Sequence, residues 1–299
     1  MPDISRQGLF AKHFLTAVDM ADLEKLVALC SSREHLLLRL DYNLLILPGL
    51  PTDDLFLYYH ADHLVGCLLM DRYHSNIKEV AGLVHPDFRR QGIFRKLLTA
   101  ATEECLSRGI TRLLFACETT SSSGRAFLKA VGAGREFAEH RMLLQTLQRR
   151  LQRDQRLVVR EARRADSREL AVVLTEDFEG SNARALQHVL LAFERPNQRF
   201  YLATYVDNAV GRIEPVATLR VEEMPRELGI YGFFVRPEYR GRGYGRQLME
   251  EIIVALYETG AKPIMLEVDA NNFTALNLYH SLGFVIDRTY EYYGLALNE

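Results

Sequence analysis

The sequence predicts an α+β (mixed α/β) protein made of two tandem copies of one domain, each a central, mostly antiparallel sheet flanked by helices. Three observations predict it. The first is a self-match: Val84, Pro86, Arg89, Gly92 and Leu97 recur at Val235, Pro237, Arg240, Gly243 and Leu248, and Gly132 recurs at Gly283, always 151 residues further on. A period of that length is a domain rather than a solenoid repeat. The second is the order of alternating and helical apolar patterns, strands and helices mixed along each copy. The third is a glycine-bearing turn between a strand and a helix, found once in each copy.

The second copy is read element by element. Residues 157–160 form a short first strand, and Asp166 or Ser167 caps a helix over 170–178. A second helix covers 183–193. Strands follow at 200–206 and 216–221, parted by a polar turn with Gly211, and then at 229–235. A helix led by glycines runs over 243–258, a strand over 264–268 and a helix over 274–281, ending at Gly283. Segments 284–287 and 290–297 close the copy. In the first copy, 23–29 is an early helix, 55–59, 64–70 and 80–84 are strands, and 93–107 is the glycine-led helix. The domains are expected at 1–147 and 157–299. The Gln- and Arg-rich stretch 148–156, which has no apolar face, is expected to be a solvated linker.

Composition narrows the function. Lys and Arg total 37 against 39 Asp and Glu, for a net charge of −2, and the balance holds in both halves. No basic excess is available to follow a nucleic-acid backbone. The four cysteines, Cys30, Cys67, Cys105 and Cys117, form no C-x-x-C pair, which fits reduced thiols. No apolar run reaches a membrane-spanning length, and the start lacks the apolar core of a signal peptide. A cytoplasmic protein without membrane or nucleic-acid partners is expected. His60 and His63 have no clustered Cys or Glu, so no metal is expected.

The chemistry concentrates in the second copy. Arg240-Gly241-Arg242-Gly243-Tyr244-Gly245 stands where a helix begins, and Arg246 adds a further cation. Unpaired amides and the positive helix end favour an anion, and the spacing suits a pyrophosphate. The glycines miss the G-x-G-x-x-G spacing of dinucleotide folds, and the P-loop pattern is absent. A tightly packed structural turn is the other reading of these residues.

The R-x-x-G-x-G pattern after Val235-Arg236-Pro237, followed by Asn272-x-x-Ala275-x-x-x-Tyr279 and Gly283-Phe284, resembles the two motifs of the GCN5-related N-acetyltransferases (GNAT). The resemblance covers the whole second half and, more weakly, the first. It implies two tandem acyl-CoA N-acyltransferase domains with acetyl-CoA as co-substrate. It places the pyrophosphate on the 240–246 loop and the pantetheine beside the backbone of Phe234 and Val235, with a splayed gap next to that strand. Asn272 would contact the pantetheine arm or the phosphate region. Tyr279 takes the role of general acid and Glu267 that of a candidate base, with Glu222 and Glu223 as rivals.

The first copy departs from this pattern. Phe94 stands where the second copy has Gly245 and is expected to narrow the cofactor's approach. Leu128 stands where the second copy has Tyr279, and leucine donates no proton, so the first copy is read as degenerate. The resulting expectation is direct acetyl transfer from acetyl-CoA to a small-molecule or peptide primary amine in the second copy, by a monomer or homodimer. The alternatives are a non-catalytic CoA- or acyl-CoA-binding regulator and a transferase with another acyl donor.

Overall fold

The computed structural model describes residues 5–37, 54–74, 76–149, 153–178, 180–259 and 262–297. The chain divides into two compact units, Met1–Glu139 with Thr289–Glu299, and His140–Arg288. These bounds differ from the contiguous division expected above. Residues 140–147 lie with the second unit and 289–299 with the first.

In the first unit, β1 (Gly8–Lys12), β2 (Leu55–His60), β3 (His63–His74) and β4 (Ile77–Val84) pair antiparallel in chain order. β5 (Arg112–Glu118) lies parallel to β4. The last strand of the chain, β12 (Phe284–Ala296), pairs antiparallel with β5 from Tyr290↔Glu118 to Ala296↔Arg112. That long-range pairing carries the C-terminal segment into the first unit. It also joins 284–287 and 290–297 into one strand, because the residues between them stay extended. Helix α1 (Ala17–Glu34) packs Leu23, Leu26 and Cys30 on one sheet face, against Leu57, Tyr59 and Cys67. Helices α2 (Ile93–Ser107) and α3 (Ser122–Ala130) cover the other face around Leu68, Leu97, Ala101 and Leu113.

Helix α1 is longer than the periodicity alone predicts because its start is capped. Asp19 N donates to Thr16 Oγ1 and Thr16 N donates to Asp19 Oδ2, a capping box. Asp19 is buried and also accepts from Lys12 Nζ and Tyr59 Oη, at 2.5 and 2.9 Å. Burial alone would raise its pKa, but these donors overcome it and hold the carboxyl at about 2. A depressed pKa stabilises the fold above the unfolded value and loses that contribution as pH falls through the folded one. Asp19 therefore contributes about 2 kcal/mol that disappears between pH 4 and pH 2. Urea unfolding of the wild type and Asp19→Asn should give a stability difference that shrinks across that window. A difference that stays constant would contradict this origin.

The second unit repeats the order. β7 (Leu157–Glu161), β8 (Gln198–Asp207), β9 (Arg212–Glu223) and β10 (Leu228–Val235) pair antiparallel in chain order, and β11 (Ile264–Asp269) lies parallel to β10. Residues 140–144 of β6 (Gly134–Leu144) follow β11. Helices α4 (Ser167–Leu174) and α5 (Asn182–Ala192) bury Leu170, Leu174 and Val189 against Phe200 and Leu202 on one face. Helices α6 (Tyr244–Thr259) and α7 (Phe273–Leu282) bury Leu248, Ile252, Leu276 and Tyr279 on the other, against Leu219, Leu266 and Val268. Each unit thus has the mixed α/β build predicted, a mostly antiparallel sheet between two helical layers.

Candidate active site

The glycine turn lies between a short 3-10 turn (Pro237–Tyr239) and α6. Gly241 and Gly243 have φ of +75° and +83°, a region that costs other L-residues about 1 kcal/mol or more. A Cβ built at either position meets nothing within 4 Å, so open space lies over the turn. The first amides of α6 have no acceptor inside the helix, and the positive helix end faces the same space.

The cations around the turn are placed differently from one another. Arg240 Nε donates to Val235 O at 2.9 Å, which fixes the strand end to the turn, and its guanidinium stays half exposed, 3.5 Å from Glu176. Arg242 is exposed, over the Tyr239 ring. Tyr244 is buried and its hydroxyl donates to Asp154 Oδ2 at 3.1 Å, so its side chain faces the protein. Asp154, within the stretch read as a solvated linker, is thereby tied to α6.

Arg246 corrects an expectation. Its guanidinium donates to Ser281 Oγ, Ser281 O and Gln148 O at 2.6, 2.9 and 2.8 Å, and its Nε lies 2.6 Å from buried Glu250. The side chain is committed to holding α6, α7 and residue 148 together and is not available to a phosphate. Arg246→Ala should therefore cost about 2–3 kcal/mol of stability. The expected readout is a melting temperature lowered by roughly 5–10 °C, with affinity for the expected acetyl-CoA largely kept. An affinity loss at unchanged melting temperature would restore the phosphate role.

The strand before the turn is irregular on both sides. Against β9 its register runs to Tyr231↔Arg220 and resumes at Phe234↔Thr218, so one extra residue forms a bulge at Gly232, whose φ is +54°. Against β11 the parallel pairing ends at Ile230↔Leu266. Beyond that point the strands part, and the backbone of Phe234 and Val235 has no partner on β11. This is a splayed gap of the kind expected beside this strand.

Tyr279 lies on the α6–α7 side of the sheet. It is 7% exposed, with Phe233 and Phe284 rings 6.2 and 6.1 Å away, and burial pushes its phenol up to about 12. Among the described residues no hydrogen bond engages its hydroxyl. Glu267 is half-buried on β11 between Leu266 and Val268, whose side chains join the α6–α7 core. Strand alternation therefore turns Glu267 to the opposite face. The structure thus sets Tyr279 and Glu267 on the two faces of the sheet at the gap. Asn272 caps α7, its Oδ1 accepting from Ala275 N at 3.1 Å. Glu223 pairs with Lys262 at 2.7 Å, and Glu222 accepts from Gln198 Nε2 at 2.9 Å.

The first unit keeps the scaffold with other side chains. Arg89 Nε donates to Val84 O at 3.0 Å, as Arg240 does to Val235, but its guanidinium is held bidentately by Glu34 at 2.6 and 2.7 Å. Arg90 and Gly92 take φ of +62° and +77°, the conformations of Gly241 and Gly243. The β4–β5 pairing also ends early, at Val80↔Phe115, but β4 pairs regularly with β3 past Ala81 and has no bulge there. Phe94 lies against Gly82 and the Phe127 ring. In the second unit the pair is exchanged, since Gly245 makes room for Phe233. A cavity of about 540 Å³ runs from this turn to the gap, lined by Cys30, Leu83, Phe94, Phe115, Cys117 and Phe127 among others.

The chain belongs to the acetyltransferase (GNAT) family, whose model matches residues 21–133 and again 167–284. Members of this family act on amine acceptors. A [ribosomal protein bS18]-alanine N-acetyltransferase of Escherichia coli K12 is 41% identical over 58 residues, 19% of this chain and 39% of that protein. N-alpha-acetyltransferase 30 of Xenopus laevis is 34% identical over 97 residues, 32% of this chain and 35% of that protein. The chain thus spans under two fifths of these relatives' lengths. Among solved structures, a GCN5-related N-acetyltransferase from Sphaerobacter thermophilus superposes with a TM-score of 0.79 at 19% identity, covering 97% of this chain and 96% of the other. A tandem GNAT protein from the clavulanic acid biosynthesis pathway gives 0.66 at 17%, covering 94% and 95%. These two likenesses speak for the fold. No helix among the described residues is long and apolar enough to cross a membrane.

Proposed function

We propose that the second unit transfers the acetyl group of acetyl-CoA directly to a primary amine and that the first unit does no chemistry. The observation that carries this reading is the Tyr279 hydroxyl, without a hydrogen bond at the edge of a bulged, splayed strand, where the first unit has Leu128 and no bulge. The open turn at Gly241–Gly243 fits a pyrophosphate, and the β11-facing side of the Phe234 and Val235 backbone, which has no strand partner there, fits the amides of a pantetheine arm. Arg240, Arg242 and the first amides of α6 would hold the phosphates; the Arg246 side chain would not. Asn272 serves the site by capping α7.

The chemistry follows from the residues. An amine with an ordinary pKa near 10.4 must lose a proton before it attacks, at a cost of roughly 4–5 kcal/mol at neutral pH. Glu267 is the proposed base, directly or through water. The amine nitrogen bonds the thioester carbonyl carbon, the carbon–sulfur bond breaks, and the amide and the free thiol of CoA result. A phenol held at about 12 is protonated at neutral pH, so Tyr279 can pass its proton to the departing sulfur, giving the CoA thiol, and regain one shed by the amide nitrogen.

Release of CoA thiol, followed with a chromogenic disulfide over a panel of primary amines, tests the reading. Release that requires an amine supports it. Acetyl-CoA binding with no amine-dependent release would overturn it in favour of a binding protein. The first-unit cavity, which has Leu128 in place of the tyrosine, supports at most a ligand held there without turnover.

A further inference from the structure

Arg220, in the second unit, has a buried nitrogen that no hydrogen bond engages. Arg220 sits on β9, directly paired with Tyr231 on β10, and its guanidinium lies over the Tyr231 ring at 5.7 Å. Its Nε is wholly buried with no hydrogen bond, and among the described residues the side chain makes no ion pair. Glu222, two residues along on the same face, gives its carboxylate to Gln198 and Asn197 instead. Burial pulls the Arg220 pKa below its ordinary value, with Glu222 opposing and Arg195 reinforcing the shift. A buried guanidinium nitrogen without a hydrogen bond is costly to the free protein.

Its place in the sheet says what it is for. Ile230 pairs with Leu266, so the next residues, Tyr231 and Glu267, stand side by side where the gap opens. Arg220, Tyr231 and Glu267 therefore form one row across three strands on one face. Phe200 continues the row on β8 and packs under α4 and α5. Arg220 is one strand spacing from Tyr231, Glu267 lies beyond it across the opening gap, and both side chains rise from the same surface. In the first unit the same row is Leu69, Ala81 and Ala116. The fold thus tolerates an apolar row, and the charged one belongs to the unit proposed to be catalytic.

We infer that Arg220 receives a carboxylate of the acceptor, so that the substrate is a zwitterion: an amine at Glu267 and a carboxylate at Arg220, on either side of Tyr231. The inference rests on the acetyl-transfer reading of the second unit and narrows its acceptor from amines at large to amines that carry a carboxylate. A single guanidinium matches a monoanion such as a carboxylate.

Matched pairs test it: L-leucine with isoamylamine, L-lysine with cadaverine and β-alanine with ethylamine, each assayed by CoA thiol release. The wild type should favour the carboxylated member by about 10- to 100-fold in kcat/KM, the worth of one hydrogen bond to a charged group. Arg220→Leu, which installs the first unit's residue, should erase that preference mainly through KM, and Arg220→Lys should restore part of it. Unchanged acetyl-CoA affinity by calorimetry shows that the variants are folded. Equal wild-type rates within pairs, or an equal loss for both members in Arg220→Leu, would overturn the inference. If acetyl-CoA binds but no amine is acetylated, the acetyl-transfer reading fails and a binding arm decides this one. N-acetyl-leucine binding the CoA-loaded protein at least tenfold tighter than N-isoamylacetamide, with the difference lost in Arg220→Leu, upholds the carboxylate site. Equal binding overturns it.

Discussion

Tyr279→Phe should lower kcat by about 100-fold or more, the low end of what a positioned proton donor contributes, while leaving the KM for acetyl-CoA within about twofold. The split follows from the geometry. The ring packs with Phe233 and Phe284, and phenylalanine keeps that packing. The hydroxyl has no partner among the described residues, so its removal leaves no buried group unsatisfied and the melting temperature should hold. What is lost is the proposed proton donor to the departing sulfur. The pH profile gives a second check. With the phenol held at about 12, the donor stays protonated throughout the usual assay range. The wild-type kcat should rise with pH as the amine loses its proton, and it should not fall before about pH 10. A descending limb near pH 8–9 would mean another acid.

Gly243→Asp should weaken acetyl-CoA binding by roughly 100-fold. Aspartate tolerates positive φ better than most residues, so the turn can keep its shape at φ +83°. The new carboxylate then stands where the pyrophosphate is proposed to lie. A like charge about 5 Å away in a partly solvated site costs about 3 kcal/mol, which is the stated loss in affinity. Calorimetric titration reads it directly. Gly243→Ala separates strain from charge and should lose far less.

Much of this was legible in the sequence because local rules agree with the fold there. The repeated Val-x-Pro…Arg…Gly run marks the same strand, turn and helix in both units, and Tyr279 stands on a helix seven residues after its capping Asn272. What was not legible depends on distant partners. Spacing puts Arg246 beside the turn, but only the packed structure shows its guanidinium spent on Ser281, Gln148 and Glu250. The expected domain division assumed contiguous copies, whereas residues 290–296 hydrogen-bond to β5. The bulge left a trace that a constant offset hides. Strand partners match at 151 after Gly232 and at 150 before it, and a glycine inside a strand is the usual mark of such an insertion. The exchange of Gly82 and Phe94 for Phe233 and Gly245 is written in the sequence, but its meaning appears only when both rings are seen to occupy the same space. Arg220 was passed over because an arginine in a strand reads as a solvated edge until its neighbours are known.

The division of labour between the units has a symmetric test, because Gly92 and Gly243 hold matching positions with φ of +77° and +83°. The same substitution to aspartate at each, followed by steady-state CoA thiol release with a competent amine at subsaturating acetyl-CoA, compares the two turns under one strain and one charge. Gly243→Asp should lose about 99% of the turnover, and Gly92→Asp should retain most of it. Loss of turnover in Gly92→Asp with retention in Gly243→Asp would place the chemistry in the first unit and contradict the account.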